Sequence, residues 1–183
     1  RIYLFLRSDG FKEYKIKFSY LGYFFYFFMF KIFCYGSNVL SCSKYFEKLK
    51  NFKILLPSEL DEIWLKNDYQ IKINKKINLL YVGRFREEKG YLSLINIFKK
   101  MSKTLEDYHL NLTLVGAEKN EISINKNIKI IKQIKDNKKL KKIYDTHQIF
   151  VLPSYTEGYP QVILESFSRK KPVIVFKEIE FLK

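Results

Sequence analysis

Short apolar runs, separated by stretches that are apolar on one side only, recur along the whole chain, and that rhythm admits few folds. A strand that is apolar on both faces must be covered on both faces, so runs of this kind belong to a parallel sheet with helices on each side. The runs fall at Ile2 to Leu6, Asn38 to Ser41, Lys53 to Leu56, Asn78 to Val82, Asn111 to Val115, Ile128 to Ile131, Ile149 to Leu152 and Pro172 to Phe176. Helical patterns lie between them at Tyr14 to Phe33, Lys44 to Leu49, Tyr91 to Ser102, Lys138 to Tyr144 and Pro160 to Ser168. The plainest is "YLSLINIFKKM", where Leu92, Ile95, Phe98 and Met101 trace one apolar stripe. The stretch Lys66 to Lys76 is polar and has no period, and it marks the boundary. The sequence therefore predicts a first part over residues 1–66, a linker over 67–77 and a second α/β domain over 78–183. No internal repeat is visible.

The chain of 183 residues suffices for one ordinary domain or parts of two, and its 47% hydrophobic content is that of a globular protein. It begins at Arg1 on an apolar run and stops soon after a strand-like segment, which predicts a fragment, incomplete at both ends. The formal charge of +15 raises the question of nucleic acid. Its source is mostly Lys scattered among Ile, Asn, Tyr and Phe, as an AT-rich coding sequence produces, and no nucleic-acid-binding motif accompanies it. No nucleic-acid partner is expected; anionic lipid or an anionic sugar nucleotide suits the charge better.

Cys34 and Cys42 form neither a disulfide framework nor a metal site, and they suit a reducing cytoplasm. His109 and His147 stand alone and read as helix-end or surface residues, so no metal is predicted. The aromatic segment Phe18 to Phe30 spans thirteen residues between Lys17 and Lys31, short of the roughly 20 needed to cross a bilayer. It reads first as a core helix and second as an interfacial helix on the cytoplasmic leaflet.

Ligands of open α/β sheets bind outside the carboxyl ends of the strands, and two strand ends here carry unusual polar residues. In "LLYVGRFREEKGYLSL", Gly83 follows a strand, Arg84 and Lys89 lie in the loop, and Gly90 precedes a helix. Gly lets backbone approach a ligand, Arg offers a planar fork to phosphate oxygens, and Lys adds a mobile charge. In "VLPSYTEGYPQVILESFSRKKPVIVF", the loop Ser154 to Gly158 leads to Pro160, which suits a first helical turn whose free N–H groups attract an anion. Glu157 and Glu165 stand with seven residues between them. A carboxylate beside a phosphate site must be offset by something it grips, and sugar hydroxyls are suitable donors. Against this stand two plainer roles, a helix-dipole residue for Glu157 and a surface residue for Glu165.

These paired motifs resemble the nucleotide-sugar domain of the group 1 glycosyltransferases, family 4, of the GT-B fold. The residues that carry the resemblance are Arg84, Lys89, Pro153, Ser154, Glu157, Gly158, Glu165, Pro172 and Val173, and it covers Asn78 to Phe176, a little over half the chain. It implies a retaining transferase, of hexosyltransferase type, that moves a sugar from a nucleoside-diphosphate sugar to a glycan or glycolipid acceptor in surface polysaccharide or glycolipid synthesis. Arg84 and Lys89 would then stabilise charge on the leaving diphosphate, Glu157 would position the donor sugar, and Glu165 would hold the ribose. Gly83, Gly158 and Tyr159 would complete the donor site, with the base near Ile134 and Lys135.

On the same resemblance, residues 1–66 would be the end of the acceptor-side domain, with Arg7 and Asp9 in the loop where the family often places catalytic or acceptor-binding groups. A turn-stabilising role before Gly10 is the competing reading of Asp9. No metal and no cofactor are implied, and the sequence has no Asp-x-Asp cluster. The expected location is cytoplasmic, peripheral at the inner face of the membrane. Two departures stand out: Gly158-Tyr159-Pro160 replaces the usual Gly-Phe-Gly, and Lys170-Lys171 replaces the small Cys-Gly before Pro-Val-Ile. The competing class is a non-catalytic, Rossmann-like basic module that binds nucleic acid or anionic membrane.

Overall fold

The computed structural model describes residues 2–6, 10–42, 46–47, 49–55, 58–66, 75–118 and 122–176. They fall into two compact units: the described residues up to Ser58 with Thr156–Pro160, and those from Glu59 to Tyr155 with those from Gln161 to Phe176.

In the first unit, β1 (Tyr3–Leu6), β2 (Asn38–Ser41) and β3 (Phe52–Ile54) form a parallel sheet in that order. The Ser41 hydroxyl donates to the Leu6 carbonyl at 3.0 Å. Between β1 and β2 runs α1 (Gly10–Cys34), which is two helices joined at a break, with Ser19 at φ 58°. In a straight helix Phe11 and Tyr26 would stand about 22 Å apart. The break instead stacks Phe11 against Tyr23, Tyr26 and Phe30, with centroids at 5.4, 4.8 and 5.2 Å.

A helix forms over the expected Tyr14 to Phe33, but the core helix expected at Phe18 to Phe30 is not buried. Within α1 only Gly10, Phe11 and Gly22 are buried, while Leu21 is 84% and Phe28 70% exposed. The reason is the break: folding back, α1 satisfies its own aromatic rings and turns the rest outward. No helix among the described residues is long and apolar enough to cross a membrane. The helix expected at Lys44 to Leu49 falls partly outside the described residues, and Leu49 closes a turn onto the Phe46 carbonyl.

The second unit runs α2 (Glu62–Leu65), β4 (Lys76–Val82), α3 (Tyr91–Thr104), β5 (His109–Ala117), β6 (Ile122–Asn125), β7 (Ile128–Lys132), α4 (Asn137–Thr146), β8 (Ile149–Leu152), α5 (Gln161–Ser168) and β9 (Val173–Val175). Its sheet has the order β6-β7-β5-β4-β8-β9. All pairs are parallel except β6 with β7, which form an antiparallel hairpin at the edge. From β4 the chain first steps outward through β5 to β7, then returns to the other side of β4 with β8 and β9. The reversal lies between β4 and β8. The apolar stripe of α3 supplies Leu94, Ile95 and Phe98 to a core that includes Tyr81, Leu112 and Leu114 of the sheet.

The segment Glu59–Lys66, assigned to the first part from sequence, packs with this second unit. Asp61 caps α2 by accepting from the N–H groups of Ile63 and Trp64 at 3.0 and 3.3 Å. Trp64, 1% exposed, meets Tyr144 of α4 edge-on at 5.4 Å. Arg169 closes the cluster: Nε donates to Asp145 at 2.7 Å, and Nη1 donates to the carbonyls of Trp64 and Lys66 at 3.1 and 2.7 Å. Beside it, burial pulls Lys171 down to about 8, with Asp145 opposing and Arg169 assisting the shift. His147, just past α4, is buried and neutral-leaning because burial lowers its pKa. Its Nδ1 donates to the Ile143 carbonyl at 2.6 Å, which leaves Nε2 to accept from Thr113 at 2.8 Å.

Helix α5 ends in paired bonds, Lys171 N–H to Ser166 O and Lys170 N–H to Phe167 O, with Lys170 left-handed at φ 54°. That position favours glycine, so Lys170→Gly should raise stability by about 1 kcal/mol, seen as a higher urea midpoint at unchanged slope. Arg169→Met should lower it by about 3 kcal/mol, because Asp145 keeps only Lys141 as a partner and two carbonyls lose their donor. The same urea titration reads it, and a loss under about 1 kcal/mol would show that solvent replaces the guanidinium.

Candidate functional site

The carboxyl ends of β4 and β8 flank the point where strand order reverses, which is where an open α/β sheet leaves a crevice. At the end of β4 the Gly83 N–H donates to Val115 O at 2.9 Å, and a Cβ on Gly116 (φ 129°) would collide with the Gly83 carbonyl. The Tyr81 hydroxyl donates to the Arg84 carbonyl at 3.0 Å, and Phe85 stacks on Tyr91 at 4.6 Å. The backbone is thus pinned while the Arg84 side chain stays exposed. A 3-10 turn, Glu87–Lys89, follows, with Lys89 half-buried. Gly90 then takes φ 66° and lies so close to the Pro153 carbonyl that any side chain would clash.

That contact joins the two loops. Tyr155 N–H donates to Glu88 O at 3.0 Å, and the Tyr155 hydroxyl shares a 2.8 Å hydrogen bond with Ser93 on α3. Pro153 and Ser154 are buried, and the Ser154 hydroxyl has no partner among the described residues. The structure therefore brings the Arg84–Lys89 loop to the Pro153–Tyr155 segment, which lie some 70 residues apart in sequence. Glu157, Gly158 and Tyr159 are half-buried in the stretch Thr156–Pro160, which clusters with the first unit. Helix α5 begins one residue after Pro160.

Glu165, on α5, is half-buried and accepts a 2.7 Å hydrogen bond from the Tyr144 hydroxyl on α4. Burial raises its pKa and the charge of Glu59 raises it further, while the Tyr144 bond acts the other way. Tyr144 itself is pushed well above the usual phenol range by burial and by the same carboxylate. The Glu59 N–H donates to Gln161 Oε1 at 3.1 Å, which ties that acidic segment to the start of α5.

Ile134, half-buried, and Lys135, exposed, sit in the loop between β7 and α4, just before Asp136, which caps α4 by accepting from Lys138 and Lys139 N–H groups. Arg7 and Asp9 lie outside the described residues. No cluster of three or more His, Cys, Asp or Glu able to hold a metal occurs among the described residues. A cavity of about 350 Å³ opens between Lys76, His109 and Lys126, at the opposite ends of the strands from the loops above, and contains none of the candidate residues. Sequence reasoning missed Tyr144, Trp64 and Gly116. Tyr144 and Trp64 look like ordinary apolar helix positions until their partners are known, but Gly116, directly after a strand-like run, repeats the signal that singled out Gly83.

The family described as "Glycosyl transferases group 1" matches residues 65–183. Over 126 residues the chain is 29% identical to the capsular polysaccharide biosynthesis glycosyltransferase CapM of Staphylococcus aureus, covering 63% of this chain and 32% of CapM. Among solved structures it is similar to a TarM variant of S. aureus in complex with fondaparinux, alpha-GlcNAc-glycerol and UDP, with TM-score 0.60, 15% identity and coverage of 78% of this chain and 30% of that one. It is also similar to WaaG, a glycosyltransferase involved in lipopolysaccharide biosynthesis, with TM-score 0.57, 18% identity and coverage of 79% and 45%. At these identities the structural likeness shows the fold alone, the α/β GT-B fold over the part that the chain covers. The chain spans about a third of the length of the curated relatives it matches. With the family matched over more than half its length, carrying both the basic strand-end loop and the second strand end that this loop grips, this chain belongs to the group 1 glycosyl transferases.

Proposed function

We propose that the whole protein transfers a sugar, with retention, from a nucleoside-diphosphate sugar to a glycan or glycolipid acceptor in surface polysaccharide or glycolipid synthesis. The observation that carries this reading is the junction of the two strand-end loops at the β4/β8 reversal, made by Tyr155 N–H to Glu88 O and by Gly90 against Pro153. It holds Arg84 and Lys89 on a fixed backbone where an α/β sheet receives phosphates. In this reading the two cations neutralise the diphosphate as it leaves, Glu157 positions the donor sugar, and Glu165 accepts from the ribose hydroxyls. Gly83, Gly158 and Tyr159 approach the donor, and Ile134 and Lys135 flank its base. The donor is substrate and the proposal requires no cofactor.

Family membership favours a transferase over a basic module without catalysis. The setting proposed is the cytoplasmic side of the membrane, and the outward aromatic surface of α1, bordered by Lys17 and Lys31, supports peripheral contact there.

The test is a thermal-shift panel on the whole protein with UDP, GDP, ADP and a short DNA duplex. One nucleoside diphosphate at a hundred times its Kd should stabilise by about 2.7 kcal/mol, a rise of roughly 5–10 °C in Tm for a domain of this size. Lys89→Ala and Glu165→Gln should each remove most of that rise. Stabilisation by DNA alone, unchanged by Glu165→Gln, would overturn the proposal.

A further inference from the structure

We propose that Tyr144 is a positioning residue for nucleotide binding: its hydroxyl, at 2.7 Å from Glu165 Oε2, locks the carboxylate in one orientation and leaves Oε1 to accept from a ligand's vicinal hydroxyls. This rests on the reading of Glu165 as the ribose-binding residue.

A phenol O–H has one hydrogen to give. The Ser166 hydroxyl also bonds to the phenol oxygen, and the acceptors within reach of Tyr144 are the Val162 carbonyl, at 3.5 Å, and Glu165 Oε2, at 2.7 Å. The shorter bond, to a charged acceptor, takes the hydrogen. The Val162 carbonyl already accepts the Ser166 hydroxyl at 2.6 Å, so it competes poorly for that hydrogen. The ring has no freedom to move the donor away. Trp64 lies against one side at 5.4 Å and Phe150 of β8 stacks on it at 5.7 Å, and all three are essentially out of solvent. Trp64 and Asp145, the residue next to Tyr144, are each bonded to Arg169. The ring that carries the hydroxyl on α4 is thus held by α2 and β8, with the end of α5 bracing α2 and α4.

The charges around Glu165 make that donor matter. Burial and the carboxylate of Glu59, in the segment before α2, both favour the protonated acid; the Tyr144 hydroxyl, from α4, is the group that opposes them. A protonated carboxyl must donate one hydrogen and accepts poorly, so it grips two hydroxyls less well than a carboxylate does. Binding through Glu165 is therefore lost as pH falls through the raised pKa of this group. Removing the phenol hydrogen removes the opposing influence, so the loss sets in at still higher pH.

The experiment compares UDP, GDP and ADP with their 2′,3′-dideoxy counterparts, by calorimetry between pH 5 and 8, on the whole protein and on Tyr144→Phe and Glu165→Gln. For the nucleotide that binds, Tyr144→Phe should weaken the ribose form roughly tenfold at pH 7, the ordinary worth of one hydrogen bond to a charged group. Binding of the dideoxy form should not change. The acid midpoint of ribose-form binding should move to higher pH in Tyr144→Phe and vanish in Glu165→Gln. Equal losses for both forms, or an acid midpoint that stays in place, would make Tyr144 a core residue and overturn the proposal while leaving the donor reading intact. If none of the three nucleotides binds the unmodified protein, the donor reading fails, and the proposal with it. Should Tyr144→Phe not fold, 3-fluorotyrosine at position 144 makes the phenol a stronger donor and should move the acid midpoint down; no movement would overturn the proposal.

Discussion

A guanidinium that is 1% exposed cannot be left to chance, and Arg169 is the residue on which the second unit turns. Unpaired, a buried cation costs several kcal/mol. Its partners come from two other elements, Asp145 on α4 and the carbonyls of Trp64 and Lys66 at the end of α2, while its own backbone closes α5. Helix α2 has four residues and could not persist alone. It persists because those two carbonyls answer the guanidinium and because Trp64 is buried against Tyr144. From that convergence follows the position of the Tyr144 hydroxyl, and from the hydroxyl the orientation of Glu165.

The opposite construction holds at the reversal between β4 and β8. There the backbone is pinned, and Arg84 is exposed while Lys89 is half-buried. Gly83 and Gly116 allow two strand ends to touch, Tyr81 pins the Arg84 carbonyl, and Gly90 nests against Pro153, yet the Arg84 guanidinium reaches outward. The difference suits the two tasks. In the proposed function, neutralising a diphosphate asks for charge within reach, which an exposed cation such as Arg84 would supply. Telling one arrangement of hydroxyls from another, the task proposed for Glu165, asks for an acceptor at a fixed angle, and a carboxylate tethered to a buried phenol would supply that.

Much of this was legible in the sequence because it is written in local patterns. Strands buried on both faces show as unbroken apolar runs, and β2 and β8 have the expected bounds. The loop after β4 was readable from Gly83, Arg84, Lys89 and Gly90, since each of these residue types is costly or idle without a reason. What could not be read depends on partners distant in the chain. Trp64 and Arg169 are separated by more than a hundred residues, and nothing beside either one announces the other. Strand β6 was missed because it is short and pairs antiparallel at the edge, outside the alternation of strand and helix. The break at Ser19 was missed although "KFSYLG" holds Gly22 as well as a serine: a lone glycine in an aromatic run does not announce a turn, and its need shows only once the fold-back brings its Cα against the Tyr14 carbonyl and Phe11 onto Tyr26.

The charge of +15 shows the same division between what a count and a position can say. Counted, it points to any polyanion. Placed, its members do different things. Arg169 and Lys171 are withdrawn from solvent and serve the packing of α2, α4 and α5. Lys141 pairs with Asp145 within α4 at 3.2 Å. Arg84 and Lys89 stand in the loop at the strand reversal. Of these cations, only Arg84 and Lys89 sit where the topology of the sheet offers an anion a seat. In the proposed function, charge therefore acts on a phosphate ligand through two residues and their loop, and the surplus around them sets only how strongly an anion is drawn toward the surface.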